Sequence, residues 1–96
     1  METIKVKITK EKNWAGNEYL IYSTEKYGKI AELDYPTENR KLPRVYCVAD
    51  KEYTPDYISF SSVTMALVGA ETVTRGYLLD RGYECTFNYP RTIKKC

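Results

Sequence analysis

The sequence predicts an α+β fold, in which a predominantly antiparallel sheet of about five strands, in β-β-β-β-α-β order, carries one long or bent helix packed on one face. Several short segments alternate apolar and polar side chains, as half-buried strands do. Only one stretch, residues 63–81, has apolar side chains at helical spacing and no proline. A chain of 96 residues has room for one core, so we expect a single domain, 1–96.

Alternation and turn residues define the first three strands. Residues 3–9 alternate strictly and form the first strand. A turn rich in Asn and Gly leads to a second strand at 18–24, which makes a hairpin with Trp14 near its tip. The third strand covers 29–35 and is stopped by Pro36.

The remaining strands surround a loop and the helix. Residues 36–43, with two prolines, form an exposed loop, and 44–50 form a fourth strand with Val45, Cys47 and Ala49 on one face. Residues 57–60 are a short extended segment before the helix. The last strand, 83–89, directs inward four side chains, Tyr83, Cys85, Phe87 and Tyr89.

The helix has recognisable ends. Ser61 or Ser62 caps its start, and Gly82 stands where a left-handed residue would end it. Gly69 and Gly76 each weaken a helix, so two shorter helices are the alternative. The stripe expected on the sheet is Val63, Ala66, Leu67, Ala70, Val73, Tyr77 and Leu78.

Composition favours binding over catalysis. The chain has ten tyrosines, one tryptophan and no histidine, which removes the commonest acid–base and metal-binding side chain. Three cysteines without C-x-x-C spacing indicate free thiols in a reducing, cytoplasmic setting, with no metal and no cofactor. No segment has the length of an apolar membrane span, so no membrane partner is expected.

Patterns that could support catalysis are sparse. Ser23 and Lys26 match Ser-x-x-Lys, but the companion boxes are missing. Glu32 and Asp34 project on one strand face, and the acidic run at 50–56 lacks the glycine and ligand spacing of an EF-hand loop. Polar turns and solvated strand surface explain all three patterns, so we expect no enzyme.

Exposed aromatic side chains are the first candidate partner-binding residues. Interfaces are enriched in Tyr, Trp and Arg. Rings in turns project at low entropic cost, which selects Trp14, Tyr53 and Tyr57, whereas Tyr83 and Tyr89 are assigned to the core.

A second candidate interface is the back of the helix, Met65, Val68, Thr72 and Leu79, which is less polar than an exposed helix face should be. Either the 36–43 loop and the chain ends cover it, or another protein does, and a homodimer is one form of the second alternative.

A basic face is the third candidate. Lys5 and Lys7, extended by Lys10 and Lys12, could join the tail residues Arg91, Lys94 and Lys95 as a nucleic-acid face. The competing interpretation is that lysines on an edge strand keep it soluble and unpaired.

These observations favour a small non-enzymatic protein-binding module. The chain is similar in type to small phage or mobile-element accessory proteins, being short, tyrosine-rich and without a catalytic signature. The expected role is inhibition of a host protein by occupying its working surface, as anti-CRISPR and other counter-defence inhibitors do. The alternative is a nucleic-acid-binding domain that uses the basic face and tail; a small carboxylate hydrolase is the weakest hypothesis.

Overall fold

The computed structural model, which describes residues 1–54, 56–91 and 93, has one helix packed against a curled mixed sheet of six strands. The strands are β1 (Glu2–Lys12), β2 (Glu18–Thr24), β3 (Gly28–Asp34), β4 (Arg44–Cys47), β5 (Ile58–Ser59) and β6 (Tyr83–Asn88), and the helix is α1 (Val63–Leu79). Their order across the sheet is β5-β4-β3-β2-β1-β6. Every neighbouring pair is antiparallel except β1 and β6, which run parallel.

The predicted α+β fold is confirmed, with two differences in the strands. The extended segment before the helix pairs with β4 and is a sixth strand. The fourth strand ends at Cys47, earlier than predicted, and Ala49 is exposed instead of facing the core. The backbone N–H groups of Val48 and Ala49 both donate to the carbonyl of Ile30, at 2.8 and 3.2 Å, so the alternation breaks there.

The sheet has two different faces. Its inner face forms the core with α1 and carries fully buried side chains such as Val6, Leu33 and Val45. On its outer face, β2, β3 and β4 present Tyr19, Ile21, Glu32, Asp34, Arg44 and Tyr46, because these alternate with core residues and lie opposite one another across the strands. No helix of the described chain covers this outer face.

Helix α1 lies across the opening of the curled sheet. It contacts β3 and β4 on one side and β6, the strand at the far edge, on the other. Ser62 caps the helix by accepting a hydrogen bond from the backbone N–H of Met65 at 3.1 Å. The helix is continuous, so the two-helix alternative is wrong, and Gly82 follows it with φ of 89°. In the described part of the chain no helix is long and apolar enough to cross a membrane.

A polar chain crosses the core between the sheet, the helix and the C-terminal segment. The Tyr22 and Tyr89 hydroxyls lie 2.9 Å apart, and Tyr89 donates to the buried carboxylate of Glu71 at 2.6 Å. Burial raises the pKa of Tyr22 and of Tyr89 well above the ordinary tyrosine value. The inward placement of Tyr89 therefore includes a hydrogen-bonded hydroxyl, as a buried tyrosine requires.

The two helix glycines have opposite structural meanings. A Cβ on Gly69 would lie 2.2 Å from Cζ of Phe60, so only glycine lets this ring pack against the helix backbone. A Cβ on Gly76 would meet nothing within 4 Å. Gly69 is thus required by packing, whereas Gly76 weakens the helix with no compensating contact.

We predict opposite stability changes for alanine at these two glycines. Gly69→Ala should lower the free energy of unfolding by about 1–3 kcal/mol, because the methyl group displaces the Phe60 ring. Gly76→Ala should raise it by about 1 kcal/mol, because alanine favours the helix and meets no neighbour. Urea unfolding of the two variants measures this difference. Equal shifts of the same sign would contradict the Phe60 contact.

Candidate partner-binding surface

Most of the tyrosines belong to the fold. Nine of the ten are buried or half-buried, and only Tyr57 is exposed. Many of the rings pack edge-to-face, for example Tyr27 against Tyr77 with centroids 5.9 Å apart. The abundance of tyrosine therefore does not by itself indicate an interface, and the exposed aromatic residues must be considered singly.

Tyr53 was predicted to project from a turn, and the structure corrects this placement. Its ring is half-buried and packs edge-to-face against Tyr77, with centroids 5.6 Å apart. Its hydroxyl donates to the carboxylate of Asp80, which follows the helix. Tyr53 thus attaches the 51–54 segment to the end of α1.

Trp14 is 98% exposed at the tip of the β1–β2 hairpin. The turn itself is well ordered: the side-chain oxygen of Asn13 accepts hydrogen bonds from the backbone N–H groups of Ala15 and Asn17, at 2.9 and 3.1 Å. Gly16 adopts the positive φ of 81° that this turn requires. Asn13 and Gly16 stabilise the turn, whereas the indole of Trp14 is exposed and adds nothing to it. Trp14 is therefore an exposed ring on a hydrogen-bonded turn.

Tyr57 belongs to a group of five side chains on the outer face, here called the outer-face cluster: Glu32, Asp34, Arg44, Tyr46 and Tyr57. Arg44 Nε donates to Asp34 Oδ2 at 3.0 Å. The Arg44 guanidinium also stacks on the Tyr57 ring, with Cζ 3.6 Å from its centroid. Tyr57 in turn packs edge-to-face on Tyr46 at 4.6 Å. The aromatic and charged groups therefore hold one another in position before any partner binds.

Glu32 is the member of this cluster with the most perturbed ionisation. Burial, together with the hydrogen bond and the negative charge of Asp34, raises the pKa of Glu32 to about 7, while the Tyr46 hydrogen bond and Lys29 oppose the shift. Desolvation raises the pKa of Tyr19, and the negative charges of Glu11, Glu32 and Asp34 raise it further. The outer face therefore changes charge near neutral pH, in a chain that has no histidine.

A groove of about 510 Å³ lies beside the cluster. The hairpin turn contributes Asn13 and Asn17 to its lining, and Tyr57, just before β5, lines the same groove. The 36–43 loop forms a further wall, where Arg40 donates to the carbonyls of Leu42 and Tyr35 at 2.7 and 3.0 Å. Trp14 follows Asn13 in the chain, so the hairpin turn that carries it contributes to one end of this groove.

The predicted basic face divides into two. Lys5 and Lys7 are exposed on the outer face, where they line a separate groove of about 700 Å³ together with Lys26. Lys10 and Lys12 point to the opposite face, because β1 alternates regularly along its whole pairing with β2. Lys10 pairs with Glu18 at 3.2 Å, so the prediction that it extends the Lys5 face is wrong.

Of the tail residues predicted to join the basic face, only Arg91 is among the described residues. Arg91 is exposed beyond the end of β6. Lys94 and Lys95 lie outside the described residues.

The back of α1 is exposed in the structure. The exposed fractions are 52% for Met65, 57% for Val68 and 43% for Leu79, and Thr72 is also exposed. The 36–43 loop therefore does not cover this face, and neither do the described residues of the two chain ends.

The Ser-x-x-Lys pattern acquires no supporting geometry. A lysine that activates a serine needs a lowered pKa. Lys26 instead lies over the rings of Tyr27 and Tyr83, at 5.9 and 5.5 Å, and its hydrogen bond with Tyr83 raises its pKa. Among the described residues no group of three or more acidic or cysteine side chains could hold a metal ion.

Sequence reasoning considered Glu32 and Asp34 but missed their partners Arg44 and Tyr46, and it missed Lys26 beside Lys5. Alternation in the third and fourth strands places the side chains of Glu32, Asp34, Arg44 and Tyr46 away from the core. The pairing register, which sets Glu32 opposite Tyr46 and Asp34 opposite Arg44, is what the sequence lacks.

Protein-family models, curated proteins and solved structures were compared with the chain, and none of them matches it.

We predict that Glu32 makes stability depend on pH. Its folded-state pKa of about 7 exceeds its ordinary 4.5, so its contribution is fully present below the lower value and is lost as pH rises through the upper one. Between about pH 5.5 and 7.5 the free energy of unfolding of the parent should fall relative to that of Glu32→Gln, by on the order of 1 kcal/mol after allowance for solvent screening.

Urea unfolding at the two pH values measures this effect, and the absence of histidine keeps the background titration small. The assignment would be wrong if parent and Glu32→Gln showed the same pH dependence.

Proposed function

We propose that this protein is a small non-enzymatic binding module that engages another protein with Trp14 and the outer-face cluster. The observation that carries the proposal is the 98% exposure of Trp14 on a turn held by its own hydrogen bonds. An indole in water on a fixed support contributes nothing to the described core, whereas burial in a partner's pocket would stabilise a complex. Tryptophan is among the residues most enriched at the centres of interfaces.

The outer-face cluster supports the proposal through its composition and its order. Tyr57 and Arg44 are also residue types that dominate interface energetics. Because Arg44 is already fixed between Asp34 and Tyr57, little side-chain entropy is lost when a partner covers it. The groove beside it is lined by three carboxylates, Glu18, Glu32 and Asp34, and by two arginines, Arg40 and Arg44. Glu18 is paired with Lys10 and Asp34 with Arg44, so the surface offers a partner groups of both charges.

The biological role that we infer is inhibition of a host protein by occupation of its working surface, as expected of a phage or mobile-element accessory protein. Cys47 and Cys85 are free thiols, which suits action in the reducing cytoplasm.

We predict that Trp14→Ala and Tyr57→Ala each weaken the complex at least about tenfold, which corresponds to about 1.4 kcal/mol. Immobilised parent and variants are exposed to a lysate of the cells in which the protein acts, and captured proteins are quantified by mass spectrometry. Met65→Ala is the matched control, since Met65 is an exposed apolar residue on the other side of the molecule, with 52% exposure.

The expected result is at least one protein retained by the parent and by Met65→Ala but lost from both outer-face variants, each of which remains folded. A partner captured equally by all four proteins would show that this surface is not the interface.

A second candidate function is nucleic-acid binding, which one observation favours. Lys5, Lys7 and Lys26 line the same groove of about 700 Å³, and none of the three is within ion-pair distance of a described carboxylate. Thr3, Ser23 and Asn88 add hydrogen-bonding side chains to that groove. Ammonium groups and neutral donors of this kind contact phosphates without reading sequence.

We predict for this second function a steep salt dependence that depends on Lys5 and Lys7. Three phosphate contacts would lower the affinity for a single-stranded oligonucleotide about twentyfold between about 50 and 200 mM salt. Lys5→Glu with Lys7→Glu should abolish binding measured by fluorescence anisotropy. The control is Lys41→Glu with Lys51→Glu, which replaces two exposed lysines elsewhere and changes the net charge by the same amount. Equal losses in the two double variants would indicate a general charge effect and no site.

A further inference from the structure

Strand β6 leaves one edge of the sheet open. It pairs with β1 on one side, and no described residue pairs with the backbone on its other side. Its six residues contain no proline and no lysine, and Glu84 is their only charge. Exposed edges normally carry such protective residues or are very short, as the two-residue β5 is at the opposite edge. A six-residue edge without protection is suited to pairing with another strand.

The exposed back of α1 adjoins this open edge. A groove of about 320 Å³ between helix and strand is lined by Arg75 and Leu79 of α1 and by Glu84 and Cys85 of β6. The Arg75 guanidinium also lies over the Phe87 ring, 5.2 Å from its centroid. A strand added to β6 would therefore lie beside Leu79, at the C-terminal end of the helix back.

We propose that β6 and the back of α1 form a homodimer interface, in which two β6 strands pair antiparallel around a two-fold axis. Identical strands that pair in this way are related by two-fold symmetry, so the same contacts are made twice. The pairing would satisfy the open backbone edge of both copies and bring the two helix backs to the same side of the extended sheet.

A second copy fits this surface because the surface is apolar and poor in charge. Met65, Val68 and Leu79 are apolar, and the Thr72 hydroxyl already donates to the carbonyl of Val68 at 2.9 Å. Along α1 the only charged residues are Glu71, which is buried, and Arg75. Two identical copies can therefore approach through this surface without bringing rows of like charge together. Pairing through β1 would instead place its lysines opposite one another.

The size of the surface predicts a weak dimer. Six strand residues span about 20 Å, and the 17-residue helix is about 25 Å long. A footprint on the order of 400 Å² per copy is about half of what a standard stable interface buries. Association is therefore expected only at high micromolar concentration or above, and it must be measured across a dilution series.

Sedimentation equilibrium from about 1 mM down to about 1 μM tests the proposal. The mass of the parent should rise toward twice the monomer mass with concentration. Val68→Glu with Leu79→Glu should stay monomeric, because four carboxylates would meet at the interface. The control is Leu42→Glu with Val48→Glu, two apolar residues that are 46% and 41% exposed elsewhere, and it should dimerise like the parent.

Cross-linking tests the strand pairing separately. In a protein with Cys47, Cys85 and Cys96 replaced by serine, Thr86→Cys should be joined into a covalent dimer by a reagent that spans about 8 Å, because Thr86 is near the middle of the strand, where antiparallel pairing of two copies brings equivalent residues within about that reach. Asn39→Cys in the same background should not. A parent that is monomeric throughout, a dimer that survives the back-face carboxylates, or equal cross-linking of the two cysteine variants would each overturn the proposal.

This inference goes beyond the proposed function and uses a different surface. Trp14→Ala should therefore dimerise as the parent does. Loss of partner capture and loss of dimerisation are then separate outcomes.

Discussion

The closure of a curled sheet by a single helix is the constraint on which the rest of this structure depends. Helix α1 must reach β3 and β4 on one side and β6 on the other, and close contacts fix it on each side. Phe60 packs against the bare backbone at Gly69, and Tyr89 joins Glu71 to the centre of the sheet. One helix can cover only the inner face, so the outer face of the sheet and the back of the helix remain at the surface. The two proposed interfaces are the two sides that this architecture leaves uncovered.

Positive and negative side chains are separated along the strands of the outer face. Lys5 and Lys7 stand early in β1 and Lys29 early in β3, whereas Glu11 and Asp34 stand late in the same strands. Because β1 and β3 run in the same direction across β2, cations gather at one end and carboxylates at the other. A protein partner and a nucleic acid would therefore favour opposite ends of one surface. A partner with a complementary charge gradient would also be oriented before contact.

Local patterns predicted the elements of this fold but not how they meet. The residue types of 18–24, after a turn rich in Asn and Gly, and the cap and stop residues of the helix were sufficient to place both elements near their observed limits. Strand order and register depend on long-range contacts, and these decide that Asp34 faces Arg44. Lys10 lies on the opposite face from Lys5 because the alternation of β1 continues to Lys12, beyond the predicted end of the strand. Gly69 shows the same limit, since the propensity scale records its cost to the helix but the Phe60 ring that requires it comes from outside the helix. Tyr53 was misplaced because its turn is fastened to Asp80, a residue distant in sequence.

The position of Trp14 also determines what its fluorescence reports. It is the only tryptophan in the chain, and in the folded protein its indole is already surrounded by water. Its emission should therefore change little when the chain unfolds, because the environment of the ring is aqueous in both states. Covering the hairpin tip would move the indole into a drier environment and shift its emission to shorter wavelength. The protein thus carries an intrinsic optical probe that is nearly silent on folding and sensitive to occupancy of the hairpin tip.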